Sequence, residues 1–320
     1  MTQQRLRIVF MGTPEFAVES LKVLVENNYD IAGVITAPDK PAGRGQKLRQ
    51  TPVKEYALSR GLTVLQPTNL KDPAFVEELR ALGANLQVIV AFRMLPEVVW
   101  AMPQLGSFNL HASLLPQYRG AAPINWAVIN GDAQTGATTF FLRHEIDTGN
   151  VILQEKIDIL PSDNAGSVHD KLMVMGAQLV LNTVQAIEAG QVTTHPQEHL
   201  AQGEVLRPAP KIFKETCKID WHQPAVAVHN LIRGLSPYPA AWCDWAMPDG
   251  TLTQAKIFES ALVYGSPLMP GHVESDGKER LVVGCADGAI EIRSIQLAGK
   301  KQVTVQEFLR GHKIAPGTKI

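Results

Sequence analysis

Along the first two hundred residues, short apolar runs rich in β-branched side chains alternate with stretches whose apolar positions recur every three or four residues. The runs "LRIVFMG" (6–12), "IAGVIT" (31–36), "LTVLQ" (62–66), "LQVIVAF" (86–92) and "GSFNLHAS" (106–113) predict strands. Between them, "TPEFAVESLKVLVENN" predicts a helix with Thr13 as N-cap and Pro14 at the first helical position. "TPVKEYALSRG" repeats that start and stops at Gly61, and a third helix is expected over about 73–82. Two more strands, "ATTFFL" and "NVILQEKIDI", are joined through "RHEIDTG" and followed by a long helix over 165–190. Apolar strands separated by helices make an α/β domain with a mostly parallel sheet covered on both faces.

From Gln191 the chain turns polar, with Pro196, Pro208 and Pro210, which predicts a linker over 191–208. A helix is expected near 224–234. The remaining runs are short and punctuated by Gly, Pro and Asp, the pattern of a small β-barrel or sandwich. The chain therefore divides into a domain over 1–190, the linker, and a second domain over 209–320.

Composition adds bounds rather than function. At 320 residues, 45% hydrophobic and net charge −1, bulk electrostatics predict neither a nucleic-acid (DNA or RNA) nor a membrane partner. Residues 1–205 carry 16 Lys+Arg against 20 Asp+Glu, and 206–320 carry 14 against 11, so the second part tolerates a polyanion better. Three scattered cysteines, Cys217, Cys243 and Cys285, make neither a disulfide framework nor a metal motif, and a reducing, cytoplasmic setting fits. The opening "MTQQRLRIVFMG" has no apolar run long enough for a signal peptide or a membrane span, so the chain reads as soluble.

Four motifs bear on chemistry. "FMGTPEFA" is a strand–turn–helix with one glycine, Gly12, and lacks the later glycines that let a pyrophosphate approach a dinucleotide site. "DKPAGRGQKLRQTPVK" (39–54) sets Lys40, Arg44, Lys47, Arg49 and Lys54 against Asp39 in a glycine-containing loop. It reads equally as a phosphate-backbone contact and as a solvated surface loop. "EIDTG" (145–149) carries the turn of aspartic proteases, but no second Asp-Thr/Ser-Gly exists and the α/β pattern is wrong for a paired site.

The fourth is "FNLHASLLP". On a strand, Asn109 and His111 share a face and emerge at the carboxyl end, where open α/β sheets bind ligands. An amide donor beside an imidazole suits oxyanion stabilisation and proton movement without a metal or a covalent intermediate. Asp147, on a turn after the next strand, is a candidate to orient the ring. A structural role for an isolated strand histidine stays open on these residues alone.

"NLHASLLPQYRGAAPINWAVINGDAQTG" followed by "EIDTG" strongly resembles the formyltransferase family that uses 10-formyltetrahydrofolate. The resemblance implies a Rossmann-like catalytic domain with Asn109, His111 and Asp147 as the catalytic set. It also implies a folate-contacting turn at Ser113, Leu114, Leu115 and Pro116, and no metal. "GTPEFA", "DKPAGRGQKL" and "KIDWHQPAVAVHNLIRGLSPYPAAW" narrow it to the branch that acts on methionyl initiator tRNA. That branch implies formyl transfer to the methionine α-amino group with release of tetrahydrofolate. It further implies tRNA contact through Lys40, Arg44, Lys47 and Arg49, an OB-fold-like C-terminal barrel on the tRNA backbone, and a monomer. Two positions depart from the family: Phe92-Arg93 stands where Tyr-Gly is common, and Asn85 where Asp is common. Competing readings are another amine acceptor, or a non-catalytic tRNA-binding protein; the first would not need the Arg-Gly loop and the second would not need all three polar residues.

Overall fold

The computed structural model describes residues 5–42, 47–201, 203–247, 250–315 and 317–320. Its packing forms two compact units, each assembled from separate stretches of chain. The first comprises residues up to Gly120, then Gly136–Ile157 and His169–Pro208; the second takes Ala121–Thr135, Asp158–Val168 and Ala209–Ile320. Packing thus interleaves the chain, whereas the sequence pattern suggested one contiguous cut.

In the first unit the strands are β1 (Arg7–Gly12), β2 (Asp30–Ile35), β3 (Lys40–Ala42), β4 (Lys47–Arg49), β5 (Val64–Leu65), β6 (Leu86–Val90), β7 (Ser107–His111), β8 (Gln134–Phe141) and β9 (Val151–Asp158). The main sheet has the order β5-β2-β1-β6-β7-β8-β9. The pairs from β5 to β7 are parallel, and β8 runs antiparallel to β7. The central strands read as unbroken apolar runs because both faces are covered: β6 is buried throughout. On one face Val9, Met11, Ile35 and Ile89 pack with Phe75, Leu79 and Val99.

Helices α1 (Glu15–Glu26), α2 (Pro52–Ser59), α3 (Pro73–Ala81) and α4 (Glu97–Trp100) connect these strands. Helix α1 begins one residue late relative to the sequence expectation, because Pro14 itself holds the extended cap conformation and no side chain caps the helix. Helix α2 starts as expected, with Thr51 accepting from Lys54 N at 3.1 Å. The single glycine of the first turn is steric: a Cβ on Gly12 would lie 2.7 Å from the Ala17 Cβ. The basic loop is a two-stranded hairpin at its base, pairing Lys40 with Arg49 and Pro41 with Leu48. Lys54 is drawn away from it by Asp39 (2.6 Å) and Gln66 (2.7 Å). Those partners hold the Asp39 carboxyl below its ordinary value. Arg44 lies outside the described residues.

Helix α5 (Pro123–Ile129) belongs to the second unit, α6 (Ala165–Glu188) matches the long helix foreseen, and α7 (Gln197–Leu200) falls within the segment expected as a linker. That segment packs on the first unit instead, where His195 exchanges two 2.9 Å backbone hydrogen bonds with Val151. No helix among the described residues is long and apolar enough to cross a membrane.

The second unit contains helix α8 (Ala225–Leu235), strands β10 (Ala241–Ala246), β11 (Leu252–Val263), β12 (Val273–Ser275), β13 (Leu281–Gly284), β14 (Ala289–Leu297) and β15 (Val303–Thr304), and helix α9 (Val305–Gly311). Its sheet is antiparallel, in the order β10-β11-β14-β13-β12 with β15 on β14. Among the described residues β10 does not pair with β12, so the expected barrel is an antiparallel half-barrel. Register shifts around Glu259 bend β11. The concave face holds Trp245 against Phe308, with Ile232, Leu235, Ile257 and Ile292 around them. Helices α5 and α8 approach closely at Gly234, whose added Cβ would sit 2.5 Å from Ile129. Asn125 seals that crossing with a 2.8 Å bond to the Gly234 carbonyl.

Burial raises all three thiols, Cys243 to about 12 and Cys285 to about 11. The folded protein should therefore take up a thiol-specific disulfide reagent at neutral pH far more slowly than free cysteine, and three thiols should titrate at once in denaturant. His229, bonded to Ser260 at 2.9 Å, is pushed below its ordinary value by burial, with Arg233 and Arg293 adding repulsion. The unfolded chain binds that proton more readily. Stability attached to His229 is therefore present above about pH 6.5 and lost as pH falls below it. Denaturant titrations of wild type and His229→Gln across pH 5–8 should show this slope in wild type and a flatter one in the variant.

Candidate active site

Parallel strands β6 and β7 leave the sheet on the same edge, and the order of strand addition reverses between β1 and β6, the position where open α/β sheets hold ligands. Asn109 and His111 lie two apart on β7, opposite Phe140 and Thr138 of β8. Asn109 is half-buried and His111 buried. The next turn brings Tyr118 back over the ring, its carbonyl oxygen 2.8 Å from His111 Nε2. A carbonyl only accepts, so Nε2 carries a proton and donates it there. Nδ1 is left facing Asp147 Oδ2 at 4.0 Å. The gap is wider than a direct hydrogen bond and leaves Nδ1 as the nitrogen that can turn to a substrate.

Asp147 sits on the β8–β9 connection with φ of 55°, in the left-handed region. Its Oδ2 accepts from Gly120 N at 3.2 Å. The glycine of the Asp-Thr-Gly turn is required by closeness: a Cβ on Gly149 would lie 1.6 Å from the Phe141 carbonyl oxygen. The structure thus gathers Asn109, His111 and Asp147 around one strand end.

The turn at 113–116 is held from β8 and β9. Thr138 donates to Ser113 O at 2.6 Å and accepts from Leu115 N at 3.1 Å; Gln154 reaches Leu115 O at 2.7 Å. Ser113 is itself buried and bonded to Gln117 O at 2.6 Å. Leu115 packs into a small core with Phe140 and Val151, so of the two leucines only Leu114 is left partly accessible. Pro116 is buried. Thr138 and Gln154 brace the turn, and the Ser113 carbonyl and the Leu115 N–H and carbonyl each have a partner within the chain.

Sequence reasoning did not locate a cavity on the loops that follow β5 and β6. It has a volume of about 510 Å³ and is lined by Thr68, Asn69, Leu70, Lys71, Arg93, Met94, Leu95 and Pro96. The divergent Arg93 is a strut: its guanidinium donates to the carbonyls of Pro67 and Thr68 and lies over the Phe92 ring. Asn85, the other divergent position, accepts from Arg7 N at 2.8 Å and donates to Arg5 O at 3.1 Å. Both residues tie the sheet to its loops. Of the four cations expected on RNA, Lys40 and Arg49 are exposed on the hairpin, Lys47 is on β4, and Arg44 is outside the described residues. Among the described residues no cluster of three or more His, Cys, Asp or Glu is placed to hold a metal ion.

Family comparison agrees with this geometry. Residues 6–184 match the formyl transferase model and 211–313 match the formyl transferase C-terminal domain. The chain belongs to the formyl transferase family. Within it, full-length similarity is to the methionyl-tRNA formyltransferases: 58% identity to that of Bacteroides thetaiotaomicron, covering 100% of both chains, and 56% to that of Parabacteroides distasonis, covering 98% of both. Among solved structures, an N-formyltransferase from Helicobacter canadensis in complex with folinic acid and dTDP-3-aminofucose superimposes with TM-score 0.67 at 20% identity, over 90% of this chain and 98% of that one. HypX from Aquifex aeolicus in complex with tetrahydrofolic acid gives 0.65 at 18%, over 98% of this chain and 49% of the other. At these identities the two structures attest the fold.

Gly149→Ala should be severely destabilising, by about 3 kcal/mol or more, because a backbone carbonyl and not a flexible side chain fills the space. Chemical denaturation beside Gly311→Ala, whose surroundings are open, measures the difference.

Proposed function

We propose that the chain transfers the formyl group of 10-formyltetrahydrofolate to the α-amino group of methionyl initiator tRNA, acting as a monomer in the cytoplasm. The observation that carries this reading is the end-to-end 58% identity to a methionyl-tRNA formyltransferase. The grouping of Asn109, His111 and Asp147 at one strand end supplies the chemistry that reading needs.

The methionine nitrogen attacks the formyl carbon, and negative charge grows on the formyl oxygen. Asn109 Nδ2 and the proton on His111 Nδ1 donate to that oxygen, each donor contributing about 2.7–4 kcal/mol of transition-state stabilisation. With Nε2 bound to the Tyr118 carbonyl, donation from Nδ1 uses the doubly protonated ring, which faces the Asp147 carboxylate at 4.0 Å. Collapse breaks the bond from the formyl carbon to N10 of the folate. The proton lost by the attacking nitrogen passes by way of Asp147 to N10, and tetrahydrofolate leaves.

The cavity beside Arg93 has the size of a small-ligand site, and its mixed lining suits the folate. The tRNA acceptor end is met by Lys40, Lys47 and Arg49 of the hairpin and by Arg44. In the second unit Lys214 and Lys218 lie 5.4 and 5.2 Å from the Trp242 ring, a cationic and aromatic surface compatible with an RNA backbone.

Transfer of labelled formyl from 10-formyltetrahydrofolate to methionyl initiator tRNA tests the reading. Asn109→Ala and His111→Ala should each lower kcat by about 10²–10³. Arg44→Ala should chiefly raise KM for the tRNA. A protein that binds charged tRNA and transfers nothing, or one that His111→Ala leaves at full rate, would refute it.

A further inference from the structure

Gln197 is a polar side chain that is completely buried, in a segment whose composition reads as linker. A glutamine amide offers two donors and two acceptor sites, and all four are used. Its Oε1 accepts from Arg119 Nε at 2.9 Å and from a second guanidinium nitrogen at 2.6 Å. Its Nε2 donates to the Asp147 carbonyl at 2.8 Å and to the Gly149 carbonyl at 2.9 Å. Arg119 is followed by Gly120, whose N–H holds the Asp147 carboxylate. The bonds therefore close a ring, from the Arg119 side chain through Gln197 to the Asp147 backbone, and from the Asp147 carboxylate back to Gly120.

That ring has a physical task. Asp147 adopts a left-handed backbone conformation that costs an L-residue energy and persists only when its surroundings impose it. The Gln197 amide grips the carbonyls of Asp147 and Gly149, on both sides of Thr148. Glutamate in its place would set a carboxylate against two carbonyl oxygens, and an apolar residue would leave those carbonyls and a guanidinium unsatisfied.

We propose that Gln197 is a positioning residue for formyl transfer, acting with Arg119 to lock the Asp147 carboxylate opposite His111. The proposal rests on the assignment of Asp147 to the reaction. It predicts a rate effect without a binding effect, since Gln197 reaches neither substrate.

The test is a double-mutant cycle with the full chain, measuring kcat and KM for methionyl-tRNA and for 10-formyltetrahydrofolate. Gln197→Met should lower kcat at least tenfold while both KM values stay within twofold. In an Asp147→Asn background the same substitution should change kcat by less than twofold. Equal losses in both backgrounds, or a loss confined to KM, would overturn the proposal and leave Gln197 as ordinary packing. Should Gln197→Met fail to fold, Arg119→Met run through the same cycle decides the matter by the same criteria. Full activity of Asp147→Asn alone would instead refute the assignment of Asp147, and the positioning role with it. Loss in Asp147→Asn with an unaffected Gln197→Met would remove only the positioning role.

Discussion

The chemistry of the site hangs on a hydrogen bond from His111 to the Tyr118 carbonyl, because that bond decides which ring nitrogen is committed and which is available. The surrounding structure maintains it. Tyr118 has φ of 60° and its own N–H is bonded to the Arg207 carbonyl at 2.7 Å, so the turn is fixed from both sides. Thr138 and Gln154 secure the stretch before it, and β7 is fixed between a parallel and an antiparallel neighbour. A histidine at a strand end would otherwise sample several rotamers. Here its ring is aimed once, with the remaining nitrogen facing the Asp147 carboxylate across 4.0 Å.

Much of the architecture was legible because the signals were local. Strand runs such as 6–12 and 86–92 report burial on both faces, and Thr51-Pro52 marks a helix start whatever lies nearby. Asn109 and His111 could be paired from period two alone, and the Asn-x-His-x-Ser-Leu-Leu-Pro segment carried the family resemblance. The failures were non-local. Nothing near Gln197 in the sequence announces bonds to residues 50 and 78 positions away, and polar composition was read as solvation. The burial of Leu115 was not legible because its small core with Phe140 and Val151 is assembled from three chain segments. The basic stretch looked like an open loop because three-residue strands are too short to show alternation.

The two positions that depart from the family have a common explanation. Arg93 spends its donors on two carbonyls of a neighbouring loop, and Asn85 bonds the entry to β1. A charged or polar residue can therefore appear beside a ligand cavity as scaffold. Arg93 lines the cavity and at the same time closes a loop through the Pro67 and Thr68 carbonyls.

The interleaved order of the packing units bears on how the molecule is made. The second unit draws Ala121–Thr135 and Asp158–Val168 from the middle of the chain and the rest from beyond Ala209. During synthesis helix α5 emerges nearly a hundred residues before α8, the helix that covers it. Until translation reaches that point, Ile129 and the rest of the α5 face have no partner, and the nascent protein carries an unfinished apolar surface. The division of labour between two units thus comes with a dependence on the carboxyl-terminal third of the chain for completing a helix pair begun near its middle.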